Sequence, residues 1–275
     1  MLTKINDILN NKKELACDNT LPNLLVWSPN LSIVDDMIII KEKTDKQNIY
    51  RLPIGSNLSK GIEYIRGLEG GKYPAFFAPE GDRFNEFKKI YGSIYTFVED
   101  TKSFDYLYLT ENLAYLPGKK YHSKRNHISA FSKKFNWHFE CLSDTNIDSF
   151  KKCSDDWYNT RDNMDITLQI EKKGVDFLFD NYNELNVKGG GIFIDNKVVA
   201  FTLGTQINNE VFDICIEKAL PEYIDAYSVI NCEFAKTITT KYINREDDMG
   251  IEGLRKAKMS YHPTMMIKKY YCYAN

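Results

Sequence analysis

Three apolar runs separated by two tight turns, between residues 191 and 219, constrain the fold of this chain more than any other feature. GIFIDNKVVAFTLG holds two of the runs on either side of Asp195-Asn196, and TQINNEVFDICIEKA places the third after Asn208-Asn209. Asp and Asn are typical of two-residue hairpin turns because they tolerate a left-handed backbone. The segment therefore predicts three consecutive antiparallel strands.

The elements around this meander predict a mixed α and β protein. β-branched and aromatic runs of strand length occur at residues 37–43, 48–52, 73–78, 93–99, 106–109, 137–142 and 265–273. Helical spacing occurs at residues 58–71, 81–92, 147–161, 168–185, 225–242 and 251–261. Apolar residues that recur every three to four positions favour a helix, and short β-branched runs favour a strand.

Composition restricts the class of protein. The 275 residues are 43% hydrophobic and 27% charged, with a formal net charge of -2, which indicates a globular chain without an overall attraction for nucleic acid. Six cysteines without a CxxC pair suggest neither a zinc site nor a disulfide framework, so no metal is expected. We find no signal peptide and no apolar run of spanning length, and we expect a cytoplasmic protein without integral membrane association.

The stretch KKYHSKRNH, residues 119–127, is the strongest local excess of positive charge. No acidic residue occurs from Asn112 to Phe139. Pro117 and Gly118 precede the stretch, and helical spacing follows it, so a helix is expected to begin near Ser123 as N-cap. Cations at a helix N-terminus are unfavourable unless an anion binds there. The other interpretation is a solvated surface face, in which His127 is a hydrogen-bonded helix residue.

A second basic motif, NREDDMGIEGLRKAKMSYHP, covers residues 244–263. Its short helix is expected to place Arg255, Lys258 and His262 on one face, beside an apolar seam that includes Tyr261. These bases can form a phosphate clamp or can simply extend from a surface helix.

Together the two motifs resemble the signatures of a bacterial family of unknown function that is related to the C-terminal catalytic domain of phosphatidylglycerol lysyltransferases. NLLVWSP, FDYLYLTENLAYL and IEKALPEYIDAYSVINCEFA fit the same family, so the resemblance spans most of the chain. It implies an α+β tandem GNAT fold, also seen in FemABX-type peptidyltransferases, with a central mixed sheet flanked by helices in each domain. We place the GNAT-like domains at residues 1–136 and 137–275, although no literal repeat is present.

The same resemblance implies an acyltransferase. Relatives of this kind move an aminoacyl group from charged tRNA to an amine or a lipid hydroxyl, whereas ordinary GNAT enzymes use acetyl-CoA. One departure concerns the donor. EKALPEYIDAYS stands where acetyl-CoA enzymes have a glycine-rich loop, and it contains no glycine and one proline. This argues against acetyl-CoA, and the expected lack of a membrane span argues against a lipid acceptor.

Acyl transfer needs a base, an oxyanion donor and an acid. Glu217, at the end of a predicted strand, is the candidate base; Tyr261 is the candidate acid, and His127 is a candidate for proton transfer. A surface Glu and a core Tyr are the competing interpretations. The predicted donor-binding residues are Lys119, Lys120, Lys124, Arg125, Asn126, Arg245, Arg255 and Lys258. Lys124, Arg125, Arg255 and Lys258 are expected to converge on one cleft.

The sequence therefore predicts an enzyme that transfers an acyl or aminoacyl group from acyl-CoA or aminoacyl-tRNA to an amine or hydroxyl of a small molecule or peptide. No other cofactor is expected. The alternative is a noncatalytic RNA-binding module with the same fold. Hydrolase, zinc protease and NTPase functions have no support because GxSxG, HExxH and P-loop motifs do not occur.

Overall fold

The computed structural model describes residues 2–9, 14–28, 30–43 and 47–275, and it shows an α+β protein. The described helices are α1 (Leu2–Leu9), α2 (Leu21–Trp27), α3 (Leu58–Leu68), α4 (Asp82–Tyr91), α5 (Thr110–Tyr115), α6 (His122–Lys134), α7 (Ile147–Asn159), α8 (Ile166–Asp180), α9 (Ala226–Ala235) and α10 (Glu252–Met259). The described strands are β1 (Leu31–Val34), β2 (Met37–Lys43), β3 (Asn48–Arg51), β4 (Ile54–Gly55), β5 (Ala75–Pro79), β6 (Tyr95–Glu99), β7 (Asp105–Leu109), β8 (Trp137–Cys141), β9 (Lys188–Ile194), β10 (Lys197–Gln206), β11 (Val211–Ala219), β12 (Tyr242–Asn244), β13 (Met265–Ile267) and β14 (Lys269–Ala274).

The contacts between residues divide the chain into two compact units. The first unit contains residues 1–106, 246–256 and 265–275, and the second contains residues 107–245 and 257–264. Residues 107–136 thus belong to the second unit, and the C-terminal strand belongs to the first. These units are defined by contacts alone, so the expected GNAT-like domains at 1–136 and 137–275 stay a prediction.

The first unit is built on a sheet with the strand order β1-β2-β3-β5-β14-β6, to which β4 is added by pairing with β2. β14 lies antiparallel between β5 and β6, while β3 and β5 are parallel. Aromatic side chains dominate the core beneath the sheet, where the rings of Phe76 and Phe87 meet at 5.4 Å. The last strand of the chain is therefore an interior strand of this unit.

The second unit contains the predicted meander, which is confirmed. β9, β10 and β11 pair antiparallel in sequence, within the order β7-β12-β11-β10-β9-β8. Asp195 and Asn196 have φ values of 49° and 63°, as the first hairpin turn requires. α6 and α9 cover one face of this sheet through an apolar cluster that includes Phe131, Val229 and Ile230.

Three local expectations from the sequence are wrong. The helix expected at 225–242 ends at Ala235, and β12 follows it, because the β-branched Thr239 and Thr240 disfavour a helix and Ile243 is buried between two neighbouring strands. α6 begins at His122, so Ser123 is not its N-cap. His262 lies beyond the end of α10 and not on its face.

β11 pairs with β12 over only part of its length in the sheet of the second unit. The two strands run parallel from Val211 to Asp213, where β12 reaches its last residue, Asn244. β11 continues to Ala219 beside β10. Beyond residue 213 of β11 and residue 244 of β12, the two strands form no further backbone pairs among the described residues.

Candidate active site

A largely buried ion pair joins β11 to the residue that follows β12. Arg245 Nη2 donates to Glu217 Oε1 at 2.8 Å, and the two side chains are 13% and 11% exposed. Burial, the largest single cause, lowers the pKa of Arg245, but Glu217, Tyr108 and Tyr261 together raise it above its ordinary value. Both residues are predicted site residues, and the structure brings them into direct contact.

Two buried polar atoms in this region have no hydrogen-bond partner among the residues that the structure describes. They are Arg245 Nη1, a donor, and Asn231 Oδ1, an acceptor. Asn231 is completely buried on α9, and its Nδ2 donates to Glu217 Oε2 at 3.3 Å. Since buried polar groups are nearly always hydrogen-bonded, a donor and an acceptor left over beside one ion pair indicate a place for a polar ligand.

Lys124 and Arg245 share the ring of Tyr261. Lys124 Nζ lies 4.1 Å from the centre of that ring, and the guanidinium carbon of Arg245 lies 4.9 Å from it. Burial lowers the pKa of Lys124, the charge of Arg245 lowers it further, and Glu217 opposes both. The site thus combines two cations, one carboxylate and a buried phenol within the second unit.

Backbone contacts fix the positions of these side chains. Tyr121 OH donates to the carbonyl oxygen of Tyr261 at 3.0 Å, which holds the start of α6 against the Tyr261 segment. Tyr108 OH donates to the carbonyl oxygen of Lys258 at 2.8 Å, and Lys258 Nζ donates to the carbonyl oxygen of Arg245. Lys258 is only 8% exposed. Its ammonium therefore supports the backbone of Arg245.

Four other predicted donor-binding residues lie in the basic stretch: Lys119, Lys120, Arg125 and Asn126. Lys119 and Lys120 are exposed in a short 3-10 turn. Arg125 Nη1 donates to the carbonyl oxygens of Leu116 and Gly118, and the Asn126 amide lies 3.1 Å from the ring of His122. Their role in donor binding stays a prediction.

His127 and Arg255 each have an acidic partner. His127 Nδ1 lies 2.8 Å from Asp225 Oδ1 at the start of α9, and both side chains are about half exposed. Arg255 belongs to the first unit, where its Nε and Nη2 donate to the buried carboxylate of Asp248 at 2.8 Å and 3.0 Å. The expected convergence of Lys124, Arg125, Arg255 and Lys258 on one cleft stays a prediction, because Arg255 belongs to the first unit and the other three belong to the second.

Two polar residues on α9, Asn231 and Ser228, were not predicted as site residues. Ser228 Oγ lies 3.5 Å from Tyr261 OH, and Asn231 contacts Glu217. A signal was available, because AYSVINCEFA has few polar residues, and two of them, Ser228 and Asn231, lie three positions apart. Polar residues inside a helix without a polar face are candidates for a buried site.

A separate charged cluster lies in the first unit. Lys269 Nζ, on β14, lies 2.6 Å from Asp18 Oδ2 and 2.7 Å from Asp105 Oδ1, and Lys269 is 2% exposed. Cys17 donates its backbone N–H to Asp105 Oδ2 at 2.9 Å. Cys17, Asp18 and Asp105 have the spacing of metal ligands, but the Lys269 ammonium already supplies a cation to both carboxylates. We interpret this cluster as structural.

Comparison with solved structures defines the class of the fold. The chain superposes on a conserved protein of unknown function from Bacteroides thetaiotaomicron with a TM-score of 0.88 and 30% identity, over 100% of this chain and 98% of that one. L-PGS from Bacillus licheniformis gives 0.67 and 14% over 99% and 91%. A tandem GNAT protein from the clavulanic acid biosynthesis pathway gives 0.51 and 7% over 99% and 94%. The protein thus has an α+β fold similar to that of tandem GNAT proteins.

Its family follows from the sequence model of the phosphatidylglycerol lysyltransferase C-terminal region, which matches residues 11–273. The chain belongs to this family. An uncharacterized protein of Mycoplasmoides gallisepticum is 23% identical over 175 residues, and this match covers 61% of the chain and 55% of that relative, so the chain spans about half the length of the curated relative. No helix among the described residues is both long and apolar enough to cross a bilayer.

Neither the family nor the fold supports the alternative of a noncatalytic RNA-binding module.

Proposed function

We propose that this protein transfers an aminoacyl group from aminoacyl-tRNA to the amine or hydroxyl of a small-molecule or peptide acceptor. The observation that carries the proposal is Arg245 Nη1, a buried donor without an acceptor among the described residues, beside the Arg245–Glu217 ion pair. Because charged tRNA is used in the cytoplasm, we propose that the protein acts there.

Arg245 can stabilise the negative charge that develops on the acyl carbonyl oxygen during transfer. When a nucleophile attacks an ester carbon, negative charge develops on the carbonyl oxygen. A preorganised donor that faces this oxygen away from water stabilises it, and loss of one such donor costs about 10²- to 10³-fold in rate. Glu217 and the carbonyl contact from Lys258 hold Arg245 in place before substrate binds.

Asn231 favours an aminoacyl donor over an acetyl donor. Its Nδ2 faces the Glu217 carboxylate, which can only accept a hydrogen bond, so Oδ1 is left to accept one from a ligand. The α-ammonium of an aminoacyl ester provides that hydrogen next to the acyl carbon. An acetyl group has no hydrogen-bond donor, and it leaves Asn231 Oδ1 buried and unpaired.

The segment between β11 and α9 also argues against acyl-CoA. Pro221 has no N–H, and the N–H groups of Leu220 and Tyr223 donate to the carbonyl oxygens of Val199 and Leu220. Asp225 adds a carboxylate at the start of α9. A pyrophosphate needs free N–H groups and positive potential at a helix N-terminus. Pro221 and the two paired N–H groups reduce the number of donors, and Asp225 makes the potential less positive.

A transfer assay tests the proposal. The full chain is incubated with tRNA charged with a labelled amino acid mixture and with pools of amine and hydroxyl acceptors, and the labelled product is measured. Arg245→Lys keeps a cation for Glu217 but removes Nη1, so we expect the rate to fall by about 10²-fold or more. Product from acetyl-CoA instead, or salt-sensitive tRNA binding without product, would contradict the proposal.

Thermal stability provides a check that needs no acceptor. A ligand at about one hundred times its dissociation constant stabilises the folded state by about 2.7 kcal/mol. We expect a stable amide analogue of the aminoacyl-adenosine 3′ end to raise the melting temperature, and millimolar acetyl-CoA to leave it unchanged.

A further inference from the structure

We propose that Lys124 is the catalytic base that takes the proton from the attacking acceptor, and that Glu217 is a positioning residue for Arg245. This assignment rests on the proposed transfer function and adds a role that the family and fold do not supply. It stands on three contacts: Lys124 Nζ on the Tyr261 ring at 4.1 Å, Arg245 on the same ring at 4.9 Å, and Arg245 bound to Glu217 at 2.8 Å.

Glu217 is poorly arranged to accept a proton. Arg245 Nη2 binds Oε1 at 2.8 Å, and Asn231 Nδ2 binds Oε2 at 3.3 Å, so both carboxylate oxygens already hold a donor. Protonation of Glu217 would leave the charge of Arg245 buried without compensation. Such uncompensated buried charges are strongly unfavourable.

Lys124, in contrast, is arranged to accept a proton. Its ammonium makes no hydrogen bond to any residue in the described part of the chain, so no acceptor atom holds it in the charged form. The face of the Tyr261 ring, 4.1 Å away, attracts the ammonium, whereas burial and Arg245 disfavour it. A lysine that is desolvated next to a second cation is the arrangement that makes an amine a base near neutral pH. Burial first, and then Arg245, lower the pKa of Lys124, while Glu217 opposes them.

The charged groups around Lys124 support this assignment. The elements packed against it present Arg245 after β12, Glu217 on β11 and the Tyr261 ring after α10. On α6 itself, Arg125 is held by two backbone carbonyls and His127 by Asp225. Glu217 raises the pKa of Lys124, but its carboxylate is already paired with Arg245.

The step is balanced without another reagent. Neutral Lys124 Nζ takes a proton from the acceptor amine or hydroxyl while the acceptor atom forms a bond to the acyl carbon. The carbonyl electron pair moves to the oxygen that Arg245 Nη1 faces. When the carbonyl reforms, the ester C–O bond breaks, and the Lys124 ammonium returns its proton to the leaving ribose oxygen. An acylated acceptor and a free hydroxyl result.

The first experiment separates the two candidate bases by their pH profiles. The transfer rate of the wild-type chain is expected to rise with pH through the pKa of Lys124, because only the neutral amine is a base. Lys124→Arg keeps the cation but stays protonated, so we expect a loss of about 10²- to 10⁴-fold and no such rise. Lys134→Arg, at an exposed lysine near the Phe135 ring on the same helix, is the matched control and keeps the wild-type rate and profile.

Chemical rescue adds a readout that a structural role would not move. We expect small primary amines added to Lys124→Ala to restore part of the rate in proportion to their concentration. A Lys124→Arg variant with the wild-type profile, together with a Glu217→Gln variant that loses it, would overturn the assignment and leave Glu217 as the base. No transfer by the wild-type chain would overturn the proposed function itself, which is a distinguishable result.

The second experiment uses only the wild-type chain and no substrate. Competitive acetylation with trace acetic anhydride across a pH series, read by mass spectrometry, measures the pKa of each lysine. Lys124 is expected to titrate below the ordinary pKa of a lysine side chain, about 10.4. A Lys124 that titrates at or above this value would overturn the assignment, whatever the transfer assay shows.

Discussion

Arg245 Nη2 and Glu217 Oε1 form a buried ion pair at 2.8 Å across the point where β12 ends and β11 continues. The pair holds Arg245 Nη1 in a buried position without an acceptor from the described residues. A structural ion pair would normally satisfy all of its buried donors. The leftover donor is the observation on which the proposed ligand site depends.

Glu217→Gln is expected to destabilise the protein, because it leaves the charge of Arg245 uncompensated. Loss of one partner of a buried pair costs about 3–5 kcal/mol in the free energy of unfolding, measured by urea denaturation. Glu217→Gln/Arg245→Met should cost less than the sum of the single variants. Glu252→Gln, in an exposed pair with Lys256, is the control and should cause no measurable change. Additive effects of the two buried substitutions would contradict the coupling.

Tyr261→Phe tests whether the ring or the hydroxyl of Tyr261 matters. Both cations face the ring, so Phe should keep the transfer rate within about threefold, whereas Tyr261→Leu loses contacts worth about 1–2 kcal/mol. Burial raises the pKa of Tyr261, which keeps the phenol neutral. A loss of about 10²-fold or more in Tyr261→Phe would instead establish the acid role predicted from the sequence.

Asp248 should contribute to stability in a defined pH range. Burial disfavours its charge, but hydrogen bonds from Arg255, Tyr106 and the Gly250 N–H outweigh burial and lower the pKa to about 2. Because this pKa is below the unfolded value of about 3.9, the contribution is complete above pH 4 and is lost as the pH falls towards 2.

The measurement compares the wild-type chain with Asp248→Asn by urea denaturation at several pH values between 2 and 6. The difference in the free energy of unfolding should be largest above pH 4 and should shrink towards pH 2. A difference that does not depend on pH would show that the Asp248 carboxylate is not held ionised by its partners.

Gly191 on β9 should not accept a side chain. A Cβ atom there would lie 2.7 Å from Cζ of Phe150, which is completely buried, so Gly191→Ala is expected to cost about 1–3 kcal/mol through overpacking. Gly67→Ala on α3 is the matched control, since nothing lies within 4 Å of its Cβ position. It should stabilise the protein by about 0.4–1 kcal/mol in the same urea assay. Equal effects at the two positions would contradict the packing explanation.

Much of the fold can be predicted from the sequence where the signal is local. The hairpin turn at Asp195-Asn196 can be predicted from these two residues alone, because they tolerate the positive φ values that the turn needs. The long alternating run of β11 is equally clear. β12 could not be predicted, since three residues carry too little pattern and their strand conformation depends on pairing with β7 and β11.

The candidate site divides in the same way. The sequence by itself identified Lys124, Glu217, Arg245 and Tyr261 as chemically suited residues within recognisable motifs, because residue type and motif are properties of the chain. Only the tertiary structure decided that Arg245 binds Glu217, that Lys124 packs on the Tyr261 ring, and that Asn231 contacts Glu217. Hydrogen bonding and desolvation act over a few ångströms between segments far apart in sequence, and no local pattern encodes those distances.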